Sequence, residues 1–206
     1  MRYLLLVFVI ALCSGVHSQT TNVPDSSFEQ ALIDFGYDSG IPDGVVPTSN
    51  ISSVVYLDVS QKNISDLTGI EDFDSLDFLD VSANQLISLN VTENLVLSTL
   101  RCGNNQLTAL DLSQNSMLTE LKVWLNNIST LDLSLNTSLA LVEAFNNQLT
   151  NLDLSGLADL YALNVSNNLL DSLDLTQNTN LTYLIINENQ LTSLNVTQNS
   201  ALGYLQ

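Results

Sequence analysis

The residues that could perform chemistry in this chain are few. Among 206 residues there are one histidine, His17, and two cysteines, Cys13 and Cys102. Ser-His and Cys-His nucleophile pairs and imidazole metal sites all require a histidine. His17 and Cys13 both lie within the first 18 residues, so removal of that segment leaves Cys102 alone. The sequence therefore predicts no enzyme activity, no catalytic or metal-binding residue and no internal disulfide.

The first 18 residues have the layout of a secretory signal peptide. A basic residue, Arg2, precedes an apolar run from Tyr3 to Leu12 that is too short to span a bilayer, and small residues precede a cleavage point before Gln19. No later apolar stretch approaches membrane-spanning length. The sequence therefore predicts a mature chain, residues 19–206, that is secreted or displayed at the cell surface without membrane insertion.

The charge of the chain limits its partners. There are 22 acidic residues and four basic ones, which gives a formal net charge of −18. Such a chain is repelled by nucleic acids and by anionic membrane surfaces. We therefore expect neither as a partner.

The sequence repeats with a period of 21 residues, and this repeat determines the fold. Each unit has the form LxxLxLxxNxL, as in LSTLRCGNNQL, followed by a second phrase such as LDLSQN. The asparagine of the first phrase recurs as Asn84, Asn105, Asn126, Asn147, Asn168 and Asn189. Because a chain that turns sharply after each strand leaves backbone groups without partners, we interpret these asparagines as a structural ladder that satisfies those groups.

These phrases resemble the leucine-rich repeat family, specifically its short nested class, which is abundant in secreted bacterial proteins. The resemblance implies a solenoid: a right-handed coil with a parallel β-sheet on its concave face and little α-helix outside an N-terminal cap. The predicted organisation is a signal peptide over 1–18, a helical cap and loop over 19–53, and a repeat array over 54–206. The array would contain one 22-residue unit, in which Lys62 replaces the ladder asparagine, then six 21-residue units and one partial unit without a C-terminal cap.

Alternation within each predicted strand separates a core face from an outer face. In LTELKVW, Leu121 and Val123 fall on one face, and Lys122 and Trp124 on the other. Stacked copies about 4.8 Å apart would bury a continuous apolar core. Cys102 falls in a core column, where we expect it to be inert packing.

The outer columns vary between units, and one region of them concentrates unusual residues. Two of the four basic residues and the only tryptophan lie on three adjacent predicted strands. We define the concave patch as Arg101, Glu120, Lys122, Trp124, Leu141, Glu143, Phe145 and Tyr183. An aromatic ring beside arginine and mixed charge is typical of a binding hot spot. The alternative is a solvated face on which basic and acidic residues pair across strands.

A further column is acidic and consists of Asp111, Asp132, Asp153 and Asp174. Stacked like charges repel, so something must offset the repulsion. Hydrogen bonds from backbone N–H groups or from the Ser or Thr two residues later would do so. A row of bound Ca²⁺ ions is the alternative and the only cofactor that the sequence suggests.

The segment before the repeats predicts a capping helix. Ser26 and Glu29 have the spacing of a capping box, and Gly36 is placed to end the helix. The apolar residues on one helical face are Phe28, Ala31, Leu32 and Phe35. We expect this face to cover the open end of the core.

Three functions follow from these features. The resemblance implies a protein-binding module that uses the concave sheet for interaction or adhesion. The array could instead be a passive spacer or adhesin segment of a larger surface protein. Carbohydrate binding is a third possibility, with Trp124, Phe145 and Tyr183 as stacking platforms.

Overall fold

Eight short strands form one parallel sheet in which each strand pairs with the next along the chain. The structure is a computed structural model that describes residues 19–206, and the predicted signal peptide lies outside these residues. The strands are β3 (Tyr56–Asp58), β4 (Phe78–Asp80), β5 (Thr99–Arg101), β6 (Glu120–Lys122), β7 (Leu141–Glu143), β8 (Ala162–Asn164), β9 (Tyr183–Ile185) and β10 (Tyr204–Leu205), preceded by β1 (Thr20–Asn22) and β2 (Val45–Pro47) in a separate sheet. This repeat solenoid with a parallel sheet confirms the predicted fold class.

The helices are short and lie before the repeat units or within the first one. They are α1 (Ser26–Asp34), α2 (Thr48–Ile51) and a 3₁₀ helix (Ile70–Asp72). Among residues 19–206, none of the helices combines the length and the apolar character needed to cross a bilayer.

The pairing register follows the repeat length. Leu79 pairs with Leu100 and Leu100 with Leu121, so partners are 21 residues apart. Between β3 and β4 the offset is 22 residues, because Leu57 pairs with Leu79. The register therefore makes equivalent positions of successive units direct neighbours on the sheet.

The middle residue of each strand from β3 to β9 lies in the core. These residues are Leu57, Leu79, Leu100, Leu121, Val142, Leu163 and Leu184, each at most 1% exposed. Burial of such a side chain stabilises the fold by about 2 kcal/mol, but only when neighbouring coils cover it. The core is therefore shared between units.

The predicted ladder of Asn84, Asn105, Asn126, Asn147, Asn168 and Asn189 is the front asparagine ladder. As predicted, it satisfies backbone groups at the turn after each strand. Asn126 shows the pattern: its Nδ2 donates to the carbonyls of Cys102 and Val123 at 3.1 Å each. Its Oδ1 accepts from the backbone N–H of Leu107 at 2.9 Å. The first member, Asn84, accepts from the N–H groups of Lys62 and Ile64, at 3.0 Å each, so the ladder bridges to the atypical first unit.

A back asparagine ladder, which the sequence analysis did not identify, runs through the second phrase of the repeat. Its members are Asn94, Asn115, Asn136, Asn178 and Asn199, all buried. Asn115 donates to the carbonyls of Val91 at 2.9 Å and Asn94 at 3.0 Å, thereby joining two successive coils. Leu157 interrupts this ladder with a buried apolar side chain. The 21-residue spacing of these asparagines was visible in the sequence.

The residue before each front-ladder asparagine adopts a left-handed backbone conformation. These residues are Ala83, Asn104, Leu125, Asn146, Asn167 and Glu188, with φ between 51° and 57°. Asparagine tolerates this region better than most side chains, whereas leucine is strained there. Leu125, at φ 51°, is therefore an unfavourable choice for its backbone.

The start of helix α1 differs from the prediction. Its N-cap is Asp25, not Ser26, because the Asp25 carboxylate accepts from the N–H groups of Ser27 at 2.9 Å and Phe28 at 3.1 Å. Glu29 does not fold back into a capping box. It points inward, is 1% exposed, and accepts from the N–H groups of Asp43 and Gly44 at 2.6 and 2.8 Å.

The capping face also differs at one position. Phe28, Ala31 and Leu32 are buried as predicted, whereas Phe35 is the C-cap residue and is 45% exposed. The loop after the helix contributes β2, which pairs antiparallel with β1 in a sheet that the sequence analysis did not predict.

Asp25 also fastens the cap to the first repeat unit. Its second oxygen accepts from the backbone N–H of Ser65 at 2.8 Å, from the Ser65 hydroxyl at 2.8 Å and from the N–H of Asp66 at 3.1 Å. Partial burial raises the pKa of Asp25, but the hydrogen bonds from Ser65, Phe28 and Asp66 outweigh it and hold the pKa below its usual 3.8. One carboxylate thus orders the helix and its docking site together.

Candidate binding site on the outer sheet face

The concave patch is built on three neighbouring strands, β5, β6 and β7. In the sheet register Arg101 pairs with Lys122, and Lys122 with Glu143, while Glu120 pairs with Leu141. The middle residue of each strand faces the core, so these flanking residues share the opposite face. Strands about 4.8 Å apart place the group within roughly 10 Å along the stacking direction.

The charged residues of the patch form one ion-pair network. Arg101 Nε donates to Glu120 Oε1 at 2.8 Å, and Lys122 Nζ lies 3.8 Å from Glu120 Oε1 and 3.5 Å from Glu143 Oε2. This cross-strand pairing is the alternative that the sequence left open for the charges. Exposed pairs of this kind contribute only about 0–1 kcal/mol each, so the network adds little to stability.

The Arg101 guanidinium also lies over an aromatic ring. Its Cζ is 5.1 Å from the ring centroid of Phe78, whose other face stacks on Tyr56 at 4.3 Å between centroids. Burial lowers the pKa of Arg101, but the hydrogen bond and charge of Glu120 and the charge of Asp80 outweigh this and raise the pKa above its usual value. The guanidinium therefore remains charged. Tyr56 and Phe78 occupy the first outward position of β3 and β4 and were not among the site residues predicted from the sequence.

Trp124 and Phe145 form the aromatic centre of the patch. Their ring centroids are 5.6 Å apart and their planes are 5° from parallel. Both side chains are half-buried rather than fully exposed. On the other side the indole lies against Gly103, since a Cβ placed there would meet indole Cε2, Cδ2 and Nε1 at 2.4 to 2.7 Å. The indole is thus held between a glycine backbone and a phenyl ring.

Gly103 is a second determinant that the sequence analysis missed. It occupies the same outward column as Trp124 and Phe145, one unit earlier. The sequence signal for it was a glycine at the same column position as the only tryptophan, one repeat unit earlier. Only glycine leaves room for the observed indole position.

Tyr183 lies apart from the rest of the patch. It is on β9, in register with Ala162 of β8, two strands from Leu141. Its ring stacks on Tyr204 at 4.7 Å and 11°, and both rings are exposed, at 40% and 45%. The structure therefore brings seven of the eight predicted residues together and places Tyr183 in a separate aromatic pair.

The carboxylates of the acidic column accept hydrogen bonds within local turns. Asp111, Asp132, Asp153 and Asp174 each accept, at 2.9 Å, from the backbone N–H of the Ser or Thr two residues later. These backbone hydrogen bonds are the largest reason that the pKa of each aspartate lies below its usual 3.8. Hydrogen bonds from the hydroxyls of the same Ser or Thr residues are the second largest. Within residues 19–206, no three His, Cys, Asp or Glu residues are arranged so that they could hold a metal ion.

Cys102 lies in the core, as predicted. It is fully buried, and burial, assisted by the charge of Asp80, raises the pKa of its thiol to about 12. Thiolate is the nucleophilic form, and this environment suppresses it.

The fold and repeat define a leucine-rich repeat solenoid, and solved bacterial structures share it. InlF, an internalin from Listeria monocytogenes, is 27% identical with a TM-score of 0.73, over 78% of this chain and 49% of that one. The functional domain of InlJ from the same organism, which includes a cysteine ladder, is 26% identical with a TM-score of 0.57, over 91% and 52%. YopM from Yersinia enterocolitica is 28% identical with a TM-score of 0.59, over 74% and 32%.

The chain spans about half the length of the InlF and InlJ structures. The sequence matches no protein-family model and no curated protein. Its structural neighbours are bacterial leucine-rich repeat proteins, and this class of fold generally serves as a protein-interaction module rather than as an enzyme.

Proposed function

We propose that this chain is a secreted or surface-displayed module that binds a protein through the concave patch. The observation that carries the proposal is the position of Trp124, held between Gly103 and Phe145 beside a network of four charged side chains. An anchor that is already ordered loses little conformational entropy on binding. Tryptophan and arginine are also the residues most enriched at interface hot spots.

Secretion is part of the proposal and rests on the N-terminal segment. Arg2, the apolar run after it and the small residues before Gln19 support export by a signal peptide. The strongly acidic surface keeps the exported chain soluble and favours a partner with a basic face.

A binding experiment with matched variants tests the proposal. Labelled chain would be applied to immobilised extracellular-matrix proteins and to cultured cells, and the retained amount compared for wild type, Trp124→Ala, Lys122→Glu and Ile87→Ala. Ile87 is an exposed apolar residue outside the sheet, so its truncation controls for a general loss of apolar surface. We expect Trp124→Ala to lose at least tenfold in retention, Lys122→Glu to lose less, and Ile87→Ala to bind normally.

Two results would overturn this proposal in favour of a passive spacer. One is wild-type retention by the Trp124→Ala and Lys122→Glu variants with unchanged melting temperatures. The other is no retention of the wild-type chain on any of the surfaces.

Carbohydrate binding is the second candidate. Both faces of the indole are occupied, by Gly103 and by Phe145, so neither is open for a sugar to stack on. The exposed pair of Tyr183 and Tyr204 supports this candidate better. A glycan array would support it through a signal that Tyr183→Ala abolishes and Trp124→Ala leaves intact.

A further inference from the structure

A pocket lies between the helical cap and the first strand of the sheet, outside the concave patch. It is lined by Phe35, Tyr37, Tyr56, Leu57 and Asp58 and has a volume of about 240 Å³. Leu57 is buried, whereas Tyr56 is 58% and Phe35 45% exposed. Three aromatic residues thus line a space that is open to solvent at the β3 edge of the sheet.

Backbone structure fixes the cap side of this pocket. Phe35 is the C-cap of α1, and Gly36 follows it with φ of 80°. The N–H groups of Gly36 and Tyr37 bond to carbonyls of the last helical turn at 2.9 Å each, which is the Schellman arrangement. The Phe35 and Tyr37 rings are 6.1 Å apart and inclined at 55°, so they form an aromatic corner.

The sheet side of the pocket is the end of a stack that already binds a cation. Tyr56 stacks on Phe78 at 4.3 Å, and the Arg101 guanidinium lies over Phe78 at 5.1 Å. A positive charge over an aromatic face is attracted by the negative potential of the ring. Within the chain, Arg101 occupies one end of this stack, and Tyr56 at the other end borders the pocket.

The charges around the pocket also favour a cation. Asp58 lines it, and its in-register neighbour on β4 is another acid, Asp80. Across residues 19–206, every ion pair involves Glu120 or Glu143, and none involves Asp58. The chain as a whole carries a net charge of −18.

We propose that this pocket binds an alkylated ammonium group, carried by a choline-type small molecule or by a methylated lysine side chain. A primary ammonium must satisfy three N–H donors, whereas an alkylated one needs no acceptor and interacts through aromatic faces. The pocket offers three rings but one carboxylate, and Asp58 Oδ1 already accepts from the N–H of Ser60 at 3.0 Å. The pocket lies outside the concave patch, and this inference does not rest on the proposed protein-binding function.

The test is a titration of the full chain with choline chloride, monitored by calorimetry and by NMR of the aromatic protons. The matched control ligand is 3,3-dimethylbutan-1-ol, which has the same shape without the charge. We expect choline to bind at least tenfold more tightly than the alcohol and Tyr56→Leu to reduce choline binding at least tenfold. Tyr204→Leu is the control variant, since it alters an exposed stacked tyrosine at the opposite end of the sheet.

Further ligands distinguish the carriers of the ammonium group. Titration with trimethyllysine amide and with lysine amide separates a methylated side chain from an unmodified one, and the trimethylated form should bind at least tenfold more tightly. Equal binding of choline and the neutral alcohol would reduce the site to an apolar cavity and overturn the proposal. Equal binding of the two lysine amides would exclude methylated lysine as the carrier, and no choline binding at millimolar concentration would overturn the proposal as well.

Discussion

Trp124 and Asn126 lie two residues apart on the same coil, yet different physical demands determine them. Asn126 is buried, and its side chain donates to carbonyls of its own coil and the preceding one, so any other residue would leave backbone groups unpaired. Trp124 contacts the backbone of Gly103 and the ring of Phe145, and the residue type in this outer column varies from unit to unit. The ladder maintains the fold, whereas the outer column can change without affecting the coil. Mutations at the two positions should therefore have separable effects.

Asn126→Ala should have the largest effect on stability. The Leu107 N–H would lose its partner inside the protein, and the carbonyls of Cys102, Val123 and Trp124 would each lose a donor. We expect the free energy of unfolding to fall by about 3 kcal/mol, measured by urea denaturation. Asn127→Ala, at the exposed neighbouring asparagine, is the control and should change stability by about 0.5 kcal/mol or less. Equal effects of the two variants would contradict the structural role of the ladder.

Gly103→Ala should have an intermediate effect concentrated at the tryptophan. The added methyl group would occupy the position of the indole, so Trp124 must move and lose its stacking on Phe145. We expect a loss of about 1–2 kcal/mol and a changed near-ultraviolet circular dichroism and fluorescence of the single tryptophan.

Gly203→Ala is the matched control for this change. The nearest heavy atom to its new Cβ would be 3.8 Å away, so we expect little change. An unaltered tryptophan spectrum in Gly103→Ala would show that the indole does not lie against Gly103 in solution.

Leu125→Asn should stabilise the chain slightly while weakening binding. Leu125 has φ of 51° and is 44% exposed beside Trp124, whereas Asn104 and Asn146 occupy the same position in the adjacent units. Relief of the left-handed strain should raise the free energy of unfolding by about 1 kcal/mol. A rise in thermal midpoint together with reduced retention on the binding surfaces would indicate that leucine is kept for contact. A fall in stability would refute the strain argument.

The acidic column should produce the smallest effect, visible only at low pH. The four aspartates have a lowered pKa in the folded chain, so their contribution to stability is present above about pH 3.8 and is lost as the pH falls through the folded values. Replacing all four by asparagine should reduce the loss of stability between pH 5 and pH 3, measured by urea midpoints. Asn90 and Asn195 already form the same turn with neutral side chains, accepting from Thr92 and Thr197 at 3.1 Å.

The repeat made most of the fold predictable, because each coil places the same residue in the same surroundings. The strand register from β4 onward, the core columns and the position of Cys102 follow from the 21-residue spacing together with the alternation within each strand. The predicted N-cap of α1 was wrong because Asp25 and Ser26 are both good N-cap residues. The contact of Asp25 with Ser65 decides between them. That contact joins residues 40 positions apart, which no local pattern describes.

The candidate site was less predictable, because it depends on the directions of individual side chains. Sequence alternation placed Trp124 and Phe145 on one face, but it could not show that the indole lies against Gly103. The pocket beside Tyr56 depends on the distance between the cap and the sheet edge, which the repeat does not encode. These are the positions at which one unit differs from the next.

The in-register stacking of coils also fixes the distance between two surface sites in whole strand spacings. The pocket beside β3 and the indole beside β6 are three strand spacings apart, roughly 14 Å. Duplication of one complete 21-residue coil between them would move the two apart by one spacing, while Tyr56 would keep Phe78 and Trp124 would keep Gly103 as a neighbour. The reach between two contact points on a ligand could thus evolve in fixed increments, through changes in gene length rather than in surface chemistry.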